Sequence, residues 1–400
     1  MKLPMTCADL DLKLSGNKSA GYAVEVLGSP HGRLDGVALV LPPDIEGRVW
    51  NLRNRQTDRS EAENLGVALF DALFPSAIRQ IWYGVTSRTP GAEVTRLRLD
   101  IRARELMNLP WELINDGEKY LALSERTPVV RFLAESPSAD HFEVKGPLNF
   151  LLVTATPSDL PPLPGVKTEL DTVRQQLVTS KPQINLGVSE IIEHVSLSAL
   201  HAKLDRYHVV HYMGHGDFSD GRGYLLFENK DGTSERREAE MIGNHMRDGA
   251  VRVLVLNACD TAIAASDRSL TGVAQAAHKG GIPVVVAMQQ TILDSAAPQF
   301  ASGLYQALID GRSLESCMVA GRLAIQRQVG LDSAEWAIPV MFSNAPVAKL
   351  CLLESSPERP APPVETSGRD AIERAENVFS GNFKAGKDMH IRVDSCRRQS

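Results

Sequence analysis

The sequence predicts an α/β fold, an open and mostly parallel sheet covered by helices on both faces and preceded by an N-terminal α+β domain. Three observations predict it. Residues 207–213, 251–257 and 282–288 are valine-rich, mostly apolar runs of the kind that strands buried on both faces require. From residue 147 onward such strand-like runs alternate with segments of helical period. The chain's 400 residues also exceed the roughly 250–300 at which a single core stops growing, so more than one domain is expected.

Taken in order, residues 1–145 carry a mixed pattern. Residues 37–41 and 95–101 read as strands, the second by strict alternation, and 60–73 repeats apolar residues at helical spacing behind a cap at Ser60. Leu109-Pro-Trp-Glu-Leu-Ile114 and residues 120–131 follow, with the turn signal Asn115-Asp-Gly117 between them. Within 146–353, residues 148–154 read as a strand, 166–177 as a helix with its Glu and Gln on the outer side, 189–194 as a short strand and 196–204 as a helix. A hairpin follows the third strand, with 224–227 turning through Lys230-Asp-Gly232, and a helix over 296–309 closes on Gly311. Residues 354–368 hold four prolines and almost nothing to bury, which makes them a semi-extended linker. The tail, 369–400, alternates loosely over 377–393, a pattern compatible with a β segment formed on meeting a partner or with a disordered end.

Composition narrows the function classes. A net charge of −6 gives no reason to expect nucleic acid or an anionic membrane surface as a partner. The five cysteines, Cys7, Cys259, Cys317, Cys351 and Cys396, are scattered and form no C-x-x-C pair, which argues against structural zinc and a disulfide framework, and no metal or other cofactor is expected. The N-terminal residues lack a signal peptide's apolar core, and no apolar stretch approaches the roughly 20 residues that span a bilayer, so a reducing cytoplasmic setting is expected.

Two of the apolar runs end in reactive side chains. His208-Val-Val-His-Tyr-Met-Gly-His-Gly-Asp-Phe218 places His215 between two glycines, and Val253-Leu-Val-Leu-Asn-Ala-Cys-Asp-Thr261 ends in Cys259. In open α/β sheets ligands bind beyond the carboxyl ends of the strands, and both His215 and Cys259 fall just past such ends. A thiol needs a neighbouring base to become a nucleophile, and adjacent parallel strands deliver both groups to one edge. Glycine on both sides of His215 permits a tight turn and close approach of substrate, leaving the amides of Gly216 and Cys259 as oxyanion donors. A helix opening at 261–265 would add its dipole in favour of the thiolate. The bland readings stand beside these: a lone strand histidine is commonly a hydrogen-bonded core residue, as we read His208 and His211, and a lone cysteine is commonly a small hydrophobe, as we read Cys7, Cys317, Cys351 and Cys396. Spacing alone leaves both readings of His215 and Cys259 open.

The blocks around these residues resemble a known family. Tyr212-Met-Gly-His-Gly-Asp-Phe218 and Leu256-Asn-Ala-Cys-Asp-Thr261 are similar to the signature blocks of CHAT domains, caspase-like peptidases of the clan that also holds caspases, metacaspases, separases and gingipains. Leu109-Pro-Trp-Glu-Leu, Leu121-Ala-Leu-Ser, Thr127-Pro-Val-Val-Arg131, Thr156-Pro-Ser-Asp-Leu-Pro-Pro-Leu163 and Met288-Gln-Gln-Thr-Ile-Leu-Asp294 agree with it, over about residues 95–345. The resemblance implies a caspase-like fold for 146–353, with residues 1–145 as a lead domain or a degenerate caspase-like half. It implies a cysteine endopeptidase in which His215 is general base and acid and Cys259 attacks the scissile carbonyl, with no third residue orienting the histidine. The pocket for the residue before the cut would be shaped by Asp159 and Asp260, two carboxylates suited to Arg or Lys. Asp159 also reads as a turn residue and Asp260 as a helix cap. Gln289 and Asp294 are candidates for the substrate groove, Asp294 equally for a helix N-cap. Arg236-Arg237 and Ser266-Asp-Arg-Ser269 are candidate self-cleavage segments. The same resemblance suggests a protein substrate in a bacterial defence or cell-death system, such as a gasdermin-like pore former, and an activating sensor subunit. A catalytically silent interaction module on the same fold is the alternative. Gly214-x-Gly216 lacks the third glycine of a dinucleotide fingerprint.

Overall fold

The structure, a computed structural model, describes residues 6–88, 92–135, 142, 144, 146–180, 182–260, 271–330, 332–345 and 391–395. The N-terminal part forms β1 (Thr6–Asn17), β2 (Gly21–Gly28), β3 (Leu34–Leu39), α1 (Ile45–Arg53), α2 (Arg59–Leu73), α3 (Ser76–Arg88), β4 (Ala92–Ile101), the short α4 (Arg104–Met107) and β5 (Val129–Arg131). The chain continues through β6 (Leu148–Thr154), α5 (Gly165–Thr179), β7 (Leu186–Glu193), α6 (Leu197–His201), β8 (Val209–Ser219), β9 (Arg222–Glu228), β10 (Ser234–Glu238), α7 (Ala239–Asp248) and β11 (Val253–Asp260). It closes with α8 (Thr271–Lys279), β12 (Val284–Met288), α9 (Ala297–Ile309), α10 (Leu314–Val329), β13 (Pro339–Ser343) and β14 (Ile391–Ser395).

One sheet runs through the described residues in the order β14-β7-β6-β8-β11-β12-β13-β5-β4-β1-β2-β3, with the β9–β10 hairpin folded off β8. From β14 to β12 every pairing is parallel, and β13, β5, β4 and β1 form a second parallel block. The blocks meet at the antiparallel pair β12–β13, so their strands run in opposite directions. This is the mostly parallel, helix-flanked sheet expected of a caspase-like fold. The β5–β13 pairing, Arg131 opposite Phe342, carries the sheet from residues 1–145 into 146–353.

Strand alternation sorts the core into two layers. Val209, Met213, Val253 and Val255 point into a cluster shared with α5, α9, α10 and the N-terminal helices, whereas Val210, Tyr212, Leu254 and Leu256 point at α7 and α8. In β1 the buried Leu10, Leu12 and Leu14 alternate with Asp9, Asp11 and Lys13, so one face of that strand packs on the N-terminal helices while the other meets charged neighbours.

Three local expectations are corrected. The cap of α2 is Asp58 rather than Ser60: its carboxylate accepts from the Glu61 amide at 2.8 Å, and the Glu61 carboxylate accepts from the Asp58 amide at 3.1 Å. A residue two earlier wins because this capping box satisfies two backbone donors at once. Glu169 of α5 faces inward and is buried, not on the outer side. Arg236 and Arg237 lie in β10, not in a loop; Arg236 sits 3.5 Å over the Tyr224 ring and pairs with Asp217. The other self-cleavage candidate, 266–269, lies outside the described residues, as does the linker at 354–368.

Most of the family-like blocks away from β8 and β11 prove to be packing devices. Glu112 and Arg131 are buried and form a two-point ion pair, Nη2 to Oε2 at 2.8 Å and Nε to Oε1 at 3.1 Å. Arg131 also donates to the Met107 carbonyl at 3.0 Å, and the Trp111 indole donates to the Leu106 carbonyl at 2.7 Å. Arg322 of α10 closes the cluster by donating to the carbonyls of Ala122 and Pro339. Burial pushes its guanidinium down to about 10.

Candidate active site

In the ladder between β8 and β11, His215 stands directly opposite Cys259, Gly216 opposite Asp260 and Met213 opposite Asn257. Adjacent strands lie about 4.8 Å apart, so the two candidate catalytic residues are next neighbours on one face of the pleat. Both sit inside their strands rather than past the ends. The flanking strands are the ones that stop: β6 pairs with β8 only as far as Met213, and β12 pairs with β11 only as far as Leu256. His215 and Cys259 thus project beyond the carboxyl edge of the surrounding sheet, where α/β sheets place their ligands.

The glycines do not form the expected turn. Neither Gly214 nor Gly216 has a positive φ, and β8 continues through both. Gly214 is required by close approach instead: a Cβ there would lie 2.7 Å from the Tyr212 hydroxyl and 2.9 Å from the Ala155 carbonyl. That hydroxyl donates to the His215 carbonyl at 3.0 Å and also approaches the Leu226 carbonyl, strapping β8 to β9 at the histidine. Gly216 is flanked on both sides, by Asp260 of β11 and Leu225 of β9.

The His215 ring is buried, and neither nitrogen has a well-formed hydrogen bond among the described residues. Burial pushes its pKa down to about 4, against the opposing pull of the Pro161 backbone and the Asp159 carboxylate. The imidazole is therefore neutral across the physiological range and free to accept a proton. The same shift fixes a stability trend. The unfolded chain takes up this proton near pH 6.5 while the folded chain waits until about pH 4, so His215 costs stability as pH falls through that window. Urea unfolding of wild type and a His215→Gln variant at pH 7.5 and pH 5 should show wild type losing more stability than the variant on acidification. Equal losses would remove the argument.

The loop after β6 is what brings Asp159 and Pro161 to His215, and the β9–β10 hairpin braces it. The Thr156 amide donates to Glu228 at 2.6 Å, the Ser158 amide to the Gly232 carbonyl at 2.9 Å, and the Ser234 amide and hydroxyl to the two Asp159 oxygens at 2.8 Å each. Asp159 is thus an exposed carboxylate anchored by Ser234 and felt by His215. Asp260 ends β11; its side chain and that of Cys259 lie outside what is described, as do residues 261–270, where the helix at 261–265 is expected.

The remaining candidates have partners of their own. Gln289 is drawn into the buried Glu112–Arg131 cluster, where it donates to Glu112 at 3.3 Å and the Ala337 carbonyl at 2.8 Å; a buried amide is satisfied there in a way that a solvent-facing groove would not provide. Asp294 does not cap α9, whose N-cap is Ala296; it packs against Gly165 at the start of α5, so close that a Cβ on that glycine would lie 2.9 Å from the carboxylate. Helix α5 follows the loop that carries Asp159, so Asp294 supports that loop's exit. Cys7 and Cys317 behave as small hydrophobes, the first pushed up to about 12 by burial and Asp9, the second raised by burial. Cys351 and Cys396 lie outside the described residues. Among the described residues no group of three or more His, Cys, Asp or Glu could hold a metal, and no helix is long and apolar enough to cross a membrane.

Sequence reasoning missed a polar cluster beneath the two candidate residues. The Glu169 carboxylate of α5 accepts from the Asn257 amide and faces His211 Nε2 at 3.2 Å, while the Tyr305 hydroxyl of α9 lies 3.1 Å from His211 Nδ1 with the two rings stacked. The signal was present: Glu169 falls on the Val166, Leu170, Val173, Leu177 stripe of its helix, where a carboxylate is out of place unless it is partnered.

The CHAT domain family model matches residues 63–344. No curated protein matches the sequence. Among solved structures, the chain is similar to the Arg-specific cysteine proteinase gingipain R, at 12% identity, covering 77% of this chain and 75% of that one, with a TM-score of 0.44. It is similar to the complex of RgpB pro- and mature domains from Porphyromonas gingivalis, at 12% identity over 76% of this chain and 77% of that one, TM-score 0.43. It is also similar to the Saccharomyces cerevisiae separase–securin complex, at 14% identity and TM-score 0.39, covering 66% of this chain but spanning only 16% of that one.

Proposed function

The chain belongs to the CHAT domain family, and from that premise we propose that it is a cysteine endopeptidase acting through a Cys259–His215 dyad. The observation that carries the proposal is the register that sets His215 opposite Cys259 beyond the ends of β6 and β12. Neutral His215 takes the thiol proton as Cys259 attacks the scissile carbonyl, then returns it to the leaving amine; water releases the acyl group by the same route. The amides of Gly216 and Cys259 are the proposed oxyanion donors. Gly216 lies between Asp260 of β11 and Leu225 of β9.

We further propose that the substrate is a partner protein cut after Arg or Lys, with Asp159 and Asp260 lining the pocket. Support comes from the exposed Asp159 carboxylate, held by Ser234 and close enough to act on His215. A cytoplasmic bacterial defence or cell-death setting, with a gasdermin-like target and an activating sensor subunit, rests on the family resemblance alone. A fluorogenic peptide library varied at the residue before the cut, assayed with and without the products of neighbouring genes, tests the specificity. Arg and Lys peptides should be cleaved, and Asp159→Asn should lower their kcat/KM by about 10- to 100-fold, the equivalent of one charge-assisted hydrogen bond. Preference for acidic or apolar residues, or an unchanged Asp159→Asn enzyme, would sink it.

A further inference from the structure

We propose that Glu169 is a positioning residue for the dyad, acting through Asn257 and His211. The inference rests on the dyad reading. Asn257 lies two residues before Cys259 on β11, and His211 four residues before His215 on β8, so by alternation all four residues share the face of the sheet that carries the dyad. One carboxylate on α5 reaches both strands: one oxygen to the Asn257 amide, the other facing His211 at 3.2 Å. Tyr305 fixes the far side of His211 from α9. Glu169, His211 and Tyr305 are at most 1% exposed and Asn257 8%, so no water competes for these contacts.

The backbone hydrogen bonds of a parallel ladder are evenly spaced and do not by themselves select one register. A buried carboxylate that accepts from Asn257 of β11 and lies 3.2 Å from His211 Nε2 of β8, a close contact without a well-formed hydrogen bond, favours one register, because a slip of β11 takes away its Asn257 donor. Held two residues from the nucleophile, this contact sets how far His215 stands from Cys259. Misplacement of about 1 Å in such a pair costs on the order of 100-fold in rate. Glu169 also sits one turn into the helix that begins just after the Asp159 loop, so the same carboxylate ties that loop's height to both strands.

The test swaps donor and acceptor. Asn257→Asp sets two carboxylates face to face, whereas the double variant Asn257→Asp/Glu169→Gln restores the hydrogen bond with its polarity reversed and keeps an amide oxygen available to His211. Two quantities are measured at a temperature where near-ultraviolet circular dichroism shows each variant folded: the site-resolved rate of Cys259 alkylation by iodoacetamide, and kcat on the best peptide. We expect Asn257→Asp to lower both by about tenfold or more with KM unchanged, and the double variant to return within about threefold of wild type. A melting temperature that falls and recovers while alkylation and kcat stay constant would make Glu169 merely structural and overturn the proposal. So would a double variant that does not fold or does not recover. His215→Ala serves as the control: if it leaves Cys259 alkylation unchanged, the dyad reading itself falls and this inference with it, an outcome distinct from failure of the swap alone.

Discussion

Replacing Cys259 by alanine should lower peptidase activity by at least about 10³- to 10⁴-fold, and His215→Ala should do the same. The double variant should be no worse than either single one. A nucleophile and its base act as a unit: once the thiol is gone the imidazole has no proton to take, and once the imidazole is gone the thiol stays protonated below its ordinary pKa near 8.5. The register that opposes the two residues leaves no other described histidine on β8 at that height, since His211 is committed to Tyr305 and Glu169. Initial rates on the best peptide, with enzyme concentration set from folded protein, check this. Losses that multiply in the double variant would mean two independent contributions and would remove the dyad.

Glu112→Ala should cost about 3–5 kcal/mol of folding stability, a large share of the roughly 5–15 kcal/mol that a domain holds. The variant leaves Arg131 buried without its two-point partner in the strand that joins the two halves of the sheet. It also leaves Arg322 beside Arg131 without the carboxylate that offsets their repulsion. Arg131→Ala should destabilise similarly, whereas replacing both residues by apolar side chains of matched volume should come out near neutral, because the pair's attraction is largely spent on its own desolvation. Guanidinium unfolding followed by fluorescence and circular dichroism measures this, and a loss under about 1 kcal/mol for Glu112→Ala would contradict it.

Much of residues 146–353 is legible in the sequence because its strands are long apolar runs separated by helices of strong period, and β6, the β9–β10 hairpin and α9 fall within a residue or two of where those patterns place them. The candidate dyad is legible because the runs lead into chemically distinctive side chains. How those residues are held is not. Gly214 looks like a turn residue in sequence, but its need for a missing Cβ comes from Tyr212 and Ala155, the second some sixty residues away. Gln289 and Asp294 look polar and loop-borne; their partners, Glu112 and Gly165, are fixed by tertiary packing that no local pattern encodes. Glu169 misleads because a carboxylate is assigned to the solvent side by default, a rule that fails where the facing strands supply donors. The N-terminal half is least legible: β5 is only three residues long, and its place is set by Phe342 far along the chain.

During synthesis, Arg131 leaves the ribosome 342 − 131 = 211 residues before Phe342, its neighbour in the finished sheet. At about 5–20 residues per second, the nascent chain carries β5 with one open edge for roughly 10 to 40 s. Throughout that interval the arginine has no closing strand beside it. A chain whose two halves share one sheet thus completes that sheet only once residue 342 has been made.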